Sequence, residues 1–220
     1  MRSKEILHSI RSYFIPGTQR RRLAMALLGV ITCGLSVAVF KQAGFGTDPF
    51  QCLCNGLDRV IPIDFGTLYM LVNLLLLVVV FITDRHYIGL ATFINLFLMG
   101  YLIDFAEHLL VALIPRPGLA LRIVYLAVAI VVMCVGSALY FTANLGVSTY
   151  DSIALHLSDL KIMPFRLIRI VTDLICVAGG FAMGYRPGIG TIITALFMGP
   201  LIAFFNRTIA EPMLRGRKTP

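Results

Sequence analysis

The sequence predicts an all-α polytopic membrane protein with six transmembrane helices, two short re-entrant or interfacial helices and two inverted repeats. Three observations carry this prediction: the apolar composition, six long apolar segments and an internal repeat. Of the 220 residues, 58% are apolar and 14% are charged, and the mean hydropathy is +0.87. A soluble domain has about 45–50% apolar and about 25% charged residues. The composition therefore excludes a soluble globular domain, and its hydrophobicity excludes a disordered chain.

Six segments are long and apolar enough to cross a bilayer, which takes about 20 helical residues. Two shorter segments, at 50–60 and 152–160, carry polar side chains and are too short to span at about 1.5 Å per residue. Both begin with helix-start signals, which are Thr47-Asp48-Pro49 and Ser148-x-x-Asp151. The predicted spans are 22–43, 65–83, 88–113, 120–142, 165–183 and 189–208.

The two halves of the chain repeat each other at an offset of 100 residues, which becomes 99 beyond residue 86. Glycines and short polar segments recur in the same order, so the chain reads as two copies of one unit. With three spans in each copy, the second copy enters the membrane from the opposite side, as in many transporters. The predicted units are a basic amphipathic tail at 1–20, repeats at 21–113 and 119–210, and a basic tail at 211–220.

The net charge of +8 is concentrated in the two tails. Cytoplasmic loops and tails of membrane proteins carry an excess of Lys and Arg, so both termini are predicted to be cytoplasmic. An eight-span arrangement with parallel repeats satisfies the same rule, and only the length of the two short segments favours six spans. Nucleic acid is not an expected partner, because no basic face with stacking aromatics exists. The five cysteines are interpreted as small apolar residues.

Two glycine-rich turns give the sequence a family resemblance. The stretch G-F-G-T-D-P-F-Q-C-L-C-N-G-L at 44–57, echoed by N-L-G-V-S-T-Y-D-S-I-A-L at 144–155, resembles the YczE/YitT-type family of bacterial integral membrane proteins. The resemblance covers about residues 20–210. It implies a polytopic protein of the bacterial cytoplasmic (inner) membrane, and it supplies neither a substrate nor functional residues.

Candidate solute-binding residues lie in the two turns and in the middle of two spans. Asp48 and Asp151 at the short-helix starts are either helix caps or part of a site for an anionic or zwitterionic solute. Asn73 and Asp173 occupy equivalent positions, and Asp173 is expected to face the bundle interior beside Arg169, as a structural ion pair or a coupling residue. The candidates are Gly44, Gly46, Thr47, Asp48, Asn73, Asn144, Gly146, Ser148, Thr149, Asp151 and Asp173.

Threonine and asparagine in the third and sixth spans either line the same cavity or join helices by ordinary hydrogen bonds, and the second alternative is favoured. The D-x-x-E-H sequence that starts at Asp104 is interpreted as a polar helix end in preference to a metal or proton-transfer site. The residues concerned are Thr92, Asn95, Thr191 and Thr194, and Asp104, Glu107 and His108.

The first function predicted is a transporter or channel for a small polar or anionic solute, with its pathway between the two repeats. The alternative is a non-transporting accessory protein that docks a partner enzyme or regulator, and an intramembrane hydrolase is a remote third class. No known catalytic or metal-binding motif occurs in the sequence, so no enzyme activity, catalytic residue, metal or cofactor is predicted. The expected partners are the lipid bilayer and a small-molecule solute, and a homo-oligomer is left open.

Overall fold

The computed structural model describes residues 16–83, 88–115, 117–161, 163 and 165–215, which are helical or lie in connections between helices. No strand occurs within those ranges. Residues 1–15 of the amphipathic tail predicted at 1–20, and residues 216–220 of the C-terminal tail, lie outside the described residues.

The described helices follow the order long, short, long, long twice over. α1 begins before the apolar segment, at Pro16 instead of residue 22, because a helix can continue through polar residues outside the hydrocarbon core. The last helix is prolonged by a π-helical turn (Asn206–Ala210) and by α9 (Glu211–Arg215). The main helices are α1 (Pro16–Ala43), α2 (Pro49–Val60), α3 (Phe65–Thr83), α4 (Leu90–Leu113), α5 (Leu119–Ala143), α6 (Thr149–Asp159), α7 (Phe165–Ala182) and α8 (Ile189–Phe205).

Five helices of the described chain are long and apolar enough to cross a membrane: α1, α3, α4, α5, and α8 with its continuation to Leu214. α7 is not among the five, because its 18 residues include three charged ones, Arg166, Arg169 and Asp173. Large apolar side chains point away from the protein, and Ile82, for example, is 77% exposed. This apolar exterior is the surface that a membrane-embedded bundle presents to lipid.

α1 and α5 form the most extensive helix pair and pack through small residues. A Cβ atom on Gly29 would lie 2.8 Å from the carbonyl oxygen of Gly136. At the positions offset by 100 residues, the Ser36 hydroxyl donates to the carbonyl oxygen of Ala129 at 2.7 Å. Small residues allow two backbones to approach closely in a membrane. The interface between α1 and α5 is therefore built from the same positions of both halves.

Two arginines cap the far ends of this helix pair in matching ways. Arg22 Nη1 donates to the Ala143 carbonyl oxygen at 3.0 Å, and Arg122 Nε donates to the Ala43 carbonyl oxygen at 2.7 Å. Each arginine satisfies one of the carbonyl groups that a helix leaves open at its C-terminus. The start of each helix thus lies beside the end of the other, and α1 and α5 are antiparallel.

The two short helices pack across the halves. α2 lies against α7, and α6 lies against α3, which are the helices that follow α6 and α2 in the chain. The first of these contacts is close, because a Cβ atom on Gly56 would lie 2.7 Å from the Cα atom of Gly180. Each short helix therefore completes the packing of the opposite half.

The glycine-rich turns are fixed by backbone hydrogen bonds to the opposite half. Gly190 N donates to the Phe45 carbonyl oxygen at 2.7 Å, and Ala91 N donates to the Leu145 carbonyl oxygen at 2.9 Å. The two bonds join corresponding positions of the two repeats. They hold each turn against the first residues of the last long helix of the other half.

Candidate functional site

The N-terminal ends of the two short helices meet in the interior. The ring of Phe50, the second residue of α2, stacks on the ring of Tyr150, the second residue of α6, with centroids 4.9 Å apart and planes inclined by 22°. The two residues correspond to each other at the offset of 100 residues. Each helix N-terminus carries about half a positive elementary charge. The stack therefore brings two partial positive charges together inside the protein.

The short helices begin where the sequence predicts. Asp48 is the N-cap of α2, where its Oδ1 accepts the Gln51 backbone N–H at 3.2 Å and Pro49 takes the first helical position. At α6 the Ser148 hydroxyl accepts the Asp151 backbone N–H at 3.1 Å and donates to Asp151 Oδ2 at 2.7 Å. Asp151 thus binds the capping hydroxyl, whereas the partner in a capping box binds a backbone N–H.

The turns before the short helices require glycine at Gly46 and Gly146. Their φ angles are +99° and +103°, in the region that residues with a side chain rarely adopt. A Cβ atom would also lie 2.5 Å from Thr191 Oγ1 at the first position and 2.5 Å from Gly89 N at the second. Positive φ angles also occur at Gly44 and Asn144, and Thr47 is fully buried with its hydroxyl 3.4 Å from Asn55 Nδ2.

One side of the aromatic stack is charged. Arg169 forms an ion pair with Asp151 through Nη1, and its Nε lies 3.4 Å from Oδ1 of Asp173. Its guanidinium also lies over the Tyr150 ring, 4.7 Å from the centroid. The Tyr150 hydroxyl donates to Asp173 Oδ1 at 2.5 Å. The predicted pairing of Arg169 with Asp173 is confirmed, and Asp151 joins it as a second carboxylate on the same guanidinium.

The other side of the stack is neutral. The charged triad Asp151, Arg169 and Asp173 corresponds, at the offset of 100 residues, to a neutral triad of Gln51, Tyr69 and Asn73.

The members of the neutral triad are buried on the Phe50 side of the stack. Tyr69 packs edge to face on Phe50, with centroids 5.8 Å apart. Asn73 Oδ1 accepts the Thr149 hydroxyl at 2.7 Å, and Asn73 Nδ2 donates to the Tyr69 carbonyl oxygen at 2.9 Å. Gln51 is 2% exposed, and its Oε1 has no hydrogen-bond partner. The two triads therefore occupy equivalent positions but make different contacts, since Asn73 accepts from Thr149 of the other half and Asp173 accepts from Tyr150 of its own half.

Asp48 adds a third carboxylate to this region. Its side chain is half-buried and lies within electrostatic range of Arg169 and Asp173. The region thus contains three carboxylates, of which Asp151 and Asp173 contact the Arg169 guanidinium. With all three ionised and with the two helix ends offsetting about one elementary charge, about one negative charge is left without compensation. We call these four charged side chains, with Phe50 and Tyr150, the central cluster.

The polar residues of α4 and α8 make structural contacts. The Thr92 hydroxyl donates to the Val147 carbonyl oxygen at 2.7 Å, and the Thr194 hydroxyl donates to the Thr191 carbonyl oxygen at 2.9 Å. These bonds agree with the favoured alternative, in which threonines join transmembrane helices. Asn95 is buried at 6% exposure.

The D-x-x-E-H sequence lies at the end of α4, where two of its members are bound. Asp104 Oδ2 accepts the Gly66 backbone N–H at 2.7 Å, and Glu107 forms an ion pair with Lys41 at 2.7 Å. Both contacts fit a polar helix end. Among the described residues, no group of three His, Cys, Asp or Glu side chains is arranged to hold a metal, and the five cysteines are free and buried.

Sequence reasoning missed half of the site. Phe50, Tyr150 and Tyr69 were not among the candidates, because an aromatic residue in a helix is most often ordinary core. Gln51 was not among them because no local signal distinguishes it from the other polar residues of α2. The signal that finds them is the repeat itself. The offset that aligns Asn73 with Asp173 also aligns Phe50 with Tyr150 and Gln51 with Asp151.

Comparison with known proteins gives one family and several distant relatives. A family model described as a family of unknown function (DUF6198) matches residues 20–207. An uncharacterized protein of Haemophilus influenzae is 22% identical over 193 residues, 88% of this chain and 87% of the relative. In Bacillus subtilis, the uncharacterized protein YyaS is 24% identical over 85% of this chain and 93% of its own length. The uncharacterized membrane protein YczE is 23% identical over 80% of each chain. No solved structure matches the chain.

Proposed function

The chain belongs to the DUF6198 family, and from that premise we propose that it transports a small polar solute across the bacterial cytoplasmic membrane. The predicted resemblance to YczE-type proteins is confirmed by these relatives, and the chain is a membrane protein with several membrane-spanning helices. One observation carries the transporter proposal. The Phe50–Tyr150 stack joins the N-terminal ends of two short helices, one from each half, beside charged and hydrogen-bonding side chains.

The proposed topology has six spans and two re-entrant helices. α7 serves as the sixth span, because Arg169 and Asp173 are bound within the central cluster and so do not face lipid. A helix of 12 residues, such as α2, is about 18 Å long and reaches from one surface to about the middle of a core about 30 Å thick. Two such helices that enter from opposite faces meet near the bilayer centre.

Contacts between helix ends support this inverted arrangement. At one end of the bundle, Arg122 binds the last residue of α1, and Arg59 Nη1 donates to the Gly184 carbonyl oxygen beyond α7 at 2.7 Å. At the other end, Arg22 binds the last residue of α5, and Leu145 binds the start of α4. The C-terminal end of α2 therefore lies at one end of the bundle, and the turn before α6 lies at the opposite end. Inverted repeats with half-helices that meet at the midplane are the architecture of many secondary transporters.

The pathway in this proposal passes between the two halves, through the central cluster. Asn73 and Asp173 are 1% and 6% exposed, so the described conformation is closed toward both sides. Transport then requires the two halves to rock, which breaks the contacts that join them, namely the Phe50–Tyr150 stack and the Thr149–Asn73 hydrogen bond. A buried carboxylate in a span is costly unless it has a function or a partner, and Asp173 shares its one guanidinium with Asp151.

The charge of the cluster also bears on the solute. Asp48 and Ser148 already occupy N–H groups of the two first turns. The surplus of carboxylates opposes a further anion. The sequence predicts a small polar or anionic solute, and the surplus of carboxylates favours a polar solute without net negative charge.

Transport by reconstituted protein tests the proposal. Uptake of a panel of labelled amines, amino acids, sugars and carboxylates into proteoliposomes is measured against empty liposomes. We expect at least one solute to enter, and we expect Asp173→Asn to reduce its uptake at least about tenfold, as loss of a charge-assisted hydrogen bond implies. Asn73→Ala leaves the buried Thr149 hydroxyl without its acceptor and should also reduce uptake. Asp58→Asn, at the far end of α2, is the matched control and should leave uptake unchanged. Absence of uptake for the whole panel, or uptake that both site variants retain, overturns the assignment.

A further inference from the structure

The central cluster already binds one cationic group, the guanidinium of Arg169, and the contacts of that group show how a cation is bound there. The Arg169 guanidinium is bound by carboxylates from two helices, Asp151 of α6 and Asp173 of α7, and lies over the face of the Tyr150 ring. Carboxylates combined with an aromatic face form the general recognition mode for organic cations. The side chains at this place are therefore suited to a positively charged group that carries N–H donors.

The carboxylates of the cluster outnumber its cationic groups. Arg169 compensates one of the three carboxylates, and the two helix ends compensate about one more. Asp48 is the carboxylate without a cationic partner in direct contact among the ion pairs of the described residues. Because a buried charge is costly unless it is paired, a cation bound beside Asp48 would stabilise the ionised form of this carboxylate.

Buried polar atoms without partners lie beside the same residues. Gln51 is 2% exposed, and its backbone N–H donates to Asp48 Oδ1. Its side-chain Oε1 has no hydrogen-bond partner. Gln51 occupies the position that corresponds to Asp151, whose side chain reaches into the cluster. The hydroxyl of Tyr140, 5% exposed, also has no partner and lies within electrostatic range of Asp151 and Tyr69. A buried amide oxygen without a donor is costly, and a ligand with N–H groups satisfies it.

From these contacts we infer that the solute is a small organic cation with N–H donors, an ammonium or guanidinium compound, held between Asp48, Gln51 and the Phe50–Tyr150 stack. The inference rests on the proposed function, since it names the solute class of the same site. Asp48 supplies the counter-charge, Gln51 Oε1 accepts one N–H, and the Phe50 ring supplies aromatic surface, since Arg169 already lies over the ring of Tyr150. A free anion meets none of these three conditions.

Binding to the full-length protein in lipid nanodiscs tests the inference, with calorimetry as the measurement. The probes are methylguanidinium and ethylammonium chloride. Three comparators separate the contributions: tetramethylammonium chloride has the charge without N–H groups, acetamide has N–H groups without the charge, and sodium acetate is an anion. We expect the two probes to bind at least about tenfold more tightly than every comparator, because charge-assisted hydrogen bonds exceed neutral ones.

Two variants and one control locate the site. Asp48→Asn retains a good helix cap and should weaken probe binding about tenfold through loss of the counter-charge. Gln51→Glu adds a carboxylate at the position that corresponds to Asp151, and this additional negative charge should tighten binding of the cationic probes. Asp58→Asn removes the same charge at the other end of α2 and should not change binding. Equal binding of acetate, absence of binding by both probes, or unchanged binding in Asp48→Asn overturns the inference.

The binding experiment and the transport experiment test the two proposals separately. If the probes bind as expected but no solute enters proteoliposomes, the transporter proposal is wrong and the cation site stands. If an anion or a neutral solute is carried and neither probe binds, the transporter proposal stands and the inferred solute class is wrong.

Discussion

The Thr149 hydroxyl donates to Oδ1 of Asn73 at 2.7 Å, and this bond joins the first turn of α6 to the middle of α3. The two residues belong to different halves of the chain, and both are buried, with 2% and 1% exposure. On the other side of the cluster, Tyr150 donates to Asp173. The first turn of α6 is therefore held on both sides by hydrogen bonds to residues that correspond in the two repeats.

We predict that Thr149 and Asn73 stabilise the contact between the halves as a pair. Thr149→Val retains the shape of the side chain and removes its hydroxyl, and Asn73→Ala removes the acceptor. A double-mutant cycle, with unfolding followed by denaturant titration in mixed micelles, should give a coupling energy of about 0.6 kcal/mol and at most about 1.7 kcal/mol, as found for interhelical bonds in membranes. A coupling of zero would show that the two side chains act independently and that the bond does not join the halves.

Tyr150 has two separable roles, and we predict that two substitutions distinguish them. Tyr150→Phe retains the stack on Phe50 and loses the hydrogen bond to Asp173, which should lower the unfolding free energy by about 1.5–3 kcal/mol, because the acceptor is charged. Tyr150→Leu also loses the ring and should cost about 0.5–1.5 kcal/mol more. Tyr101→Phe is the control, since Tyr101 is 47% exposed and its hydroxyl makes only a long contact of 3.4 Å with that of Thr67, so the substitution should be nearly neutral. Equal stabilities of the Phe and Leu variants would contradict a contribution from stacking.

Most of the helix bounds follow from the sequence, because length and hydrophobicity determine them locally. The segment predicted at 65–83 is α3 (Phe65–Thr83), and the start of α2 follows from Asp48 and Pro49. Contacts between the halves are different, because they depend on how distant helices pack. The ion pair of Lys41 with Glu107 and the stack of Phe50 on Tyr150 join residues with no local signal. The repeat offset relates Phe50 to Tyr150, but it carries no information about the pair of Lys41 and Glu107, whose equivalents are Phe141 and Asn206.

The two turn glycines should be intolerant of any side chain, and equally so. Gly46→Ala and Gly146→Ala each place a side chain at a positive φ, which costs about 1–2 kcal/mol. The added Cβ atom would also lie 2.5 Å from an atom of the opposite half in either variant, a clash that the other half must move to relieve. We expect both variants to lose folded protein in size-exclusion chromatography of the detergent extract. Gly118→Ala is the control, because a Cβ atom there meets nothing within 4 Å. Normal yield of either turn variant would contradict the close approach of the halves.

The proposed inverted topology predicts that Val60 and Leu160 lie on opposite faces of the membrane. These two residues correspond at the offset of 100, lie at the outer ends of α2 and α6, and are 61% and 57% exposed. The five native cysteines are buried, so a membrane-impermeant maleimide should react mainly with a newly introduced cysteine. In intact cells we expect Val60→Cys to be labelled and Leu160→Cys to be protected, and we expect the reverse in inside-out vesicles. Labelling of both from the same side would mean that the second half does not enter from the opposite face, and the proposed pathway between inverted halves would be wrong.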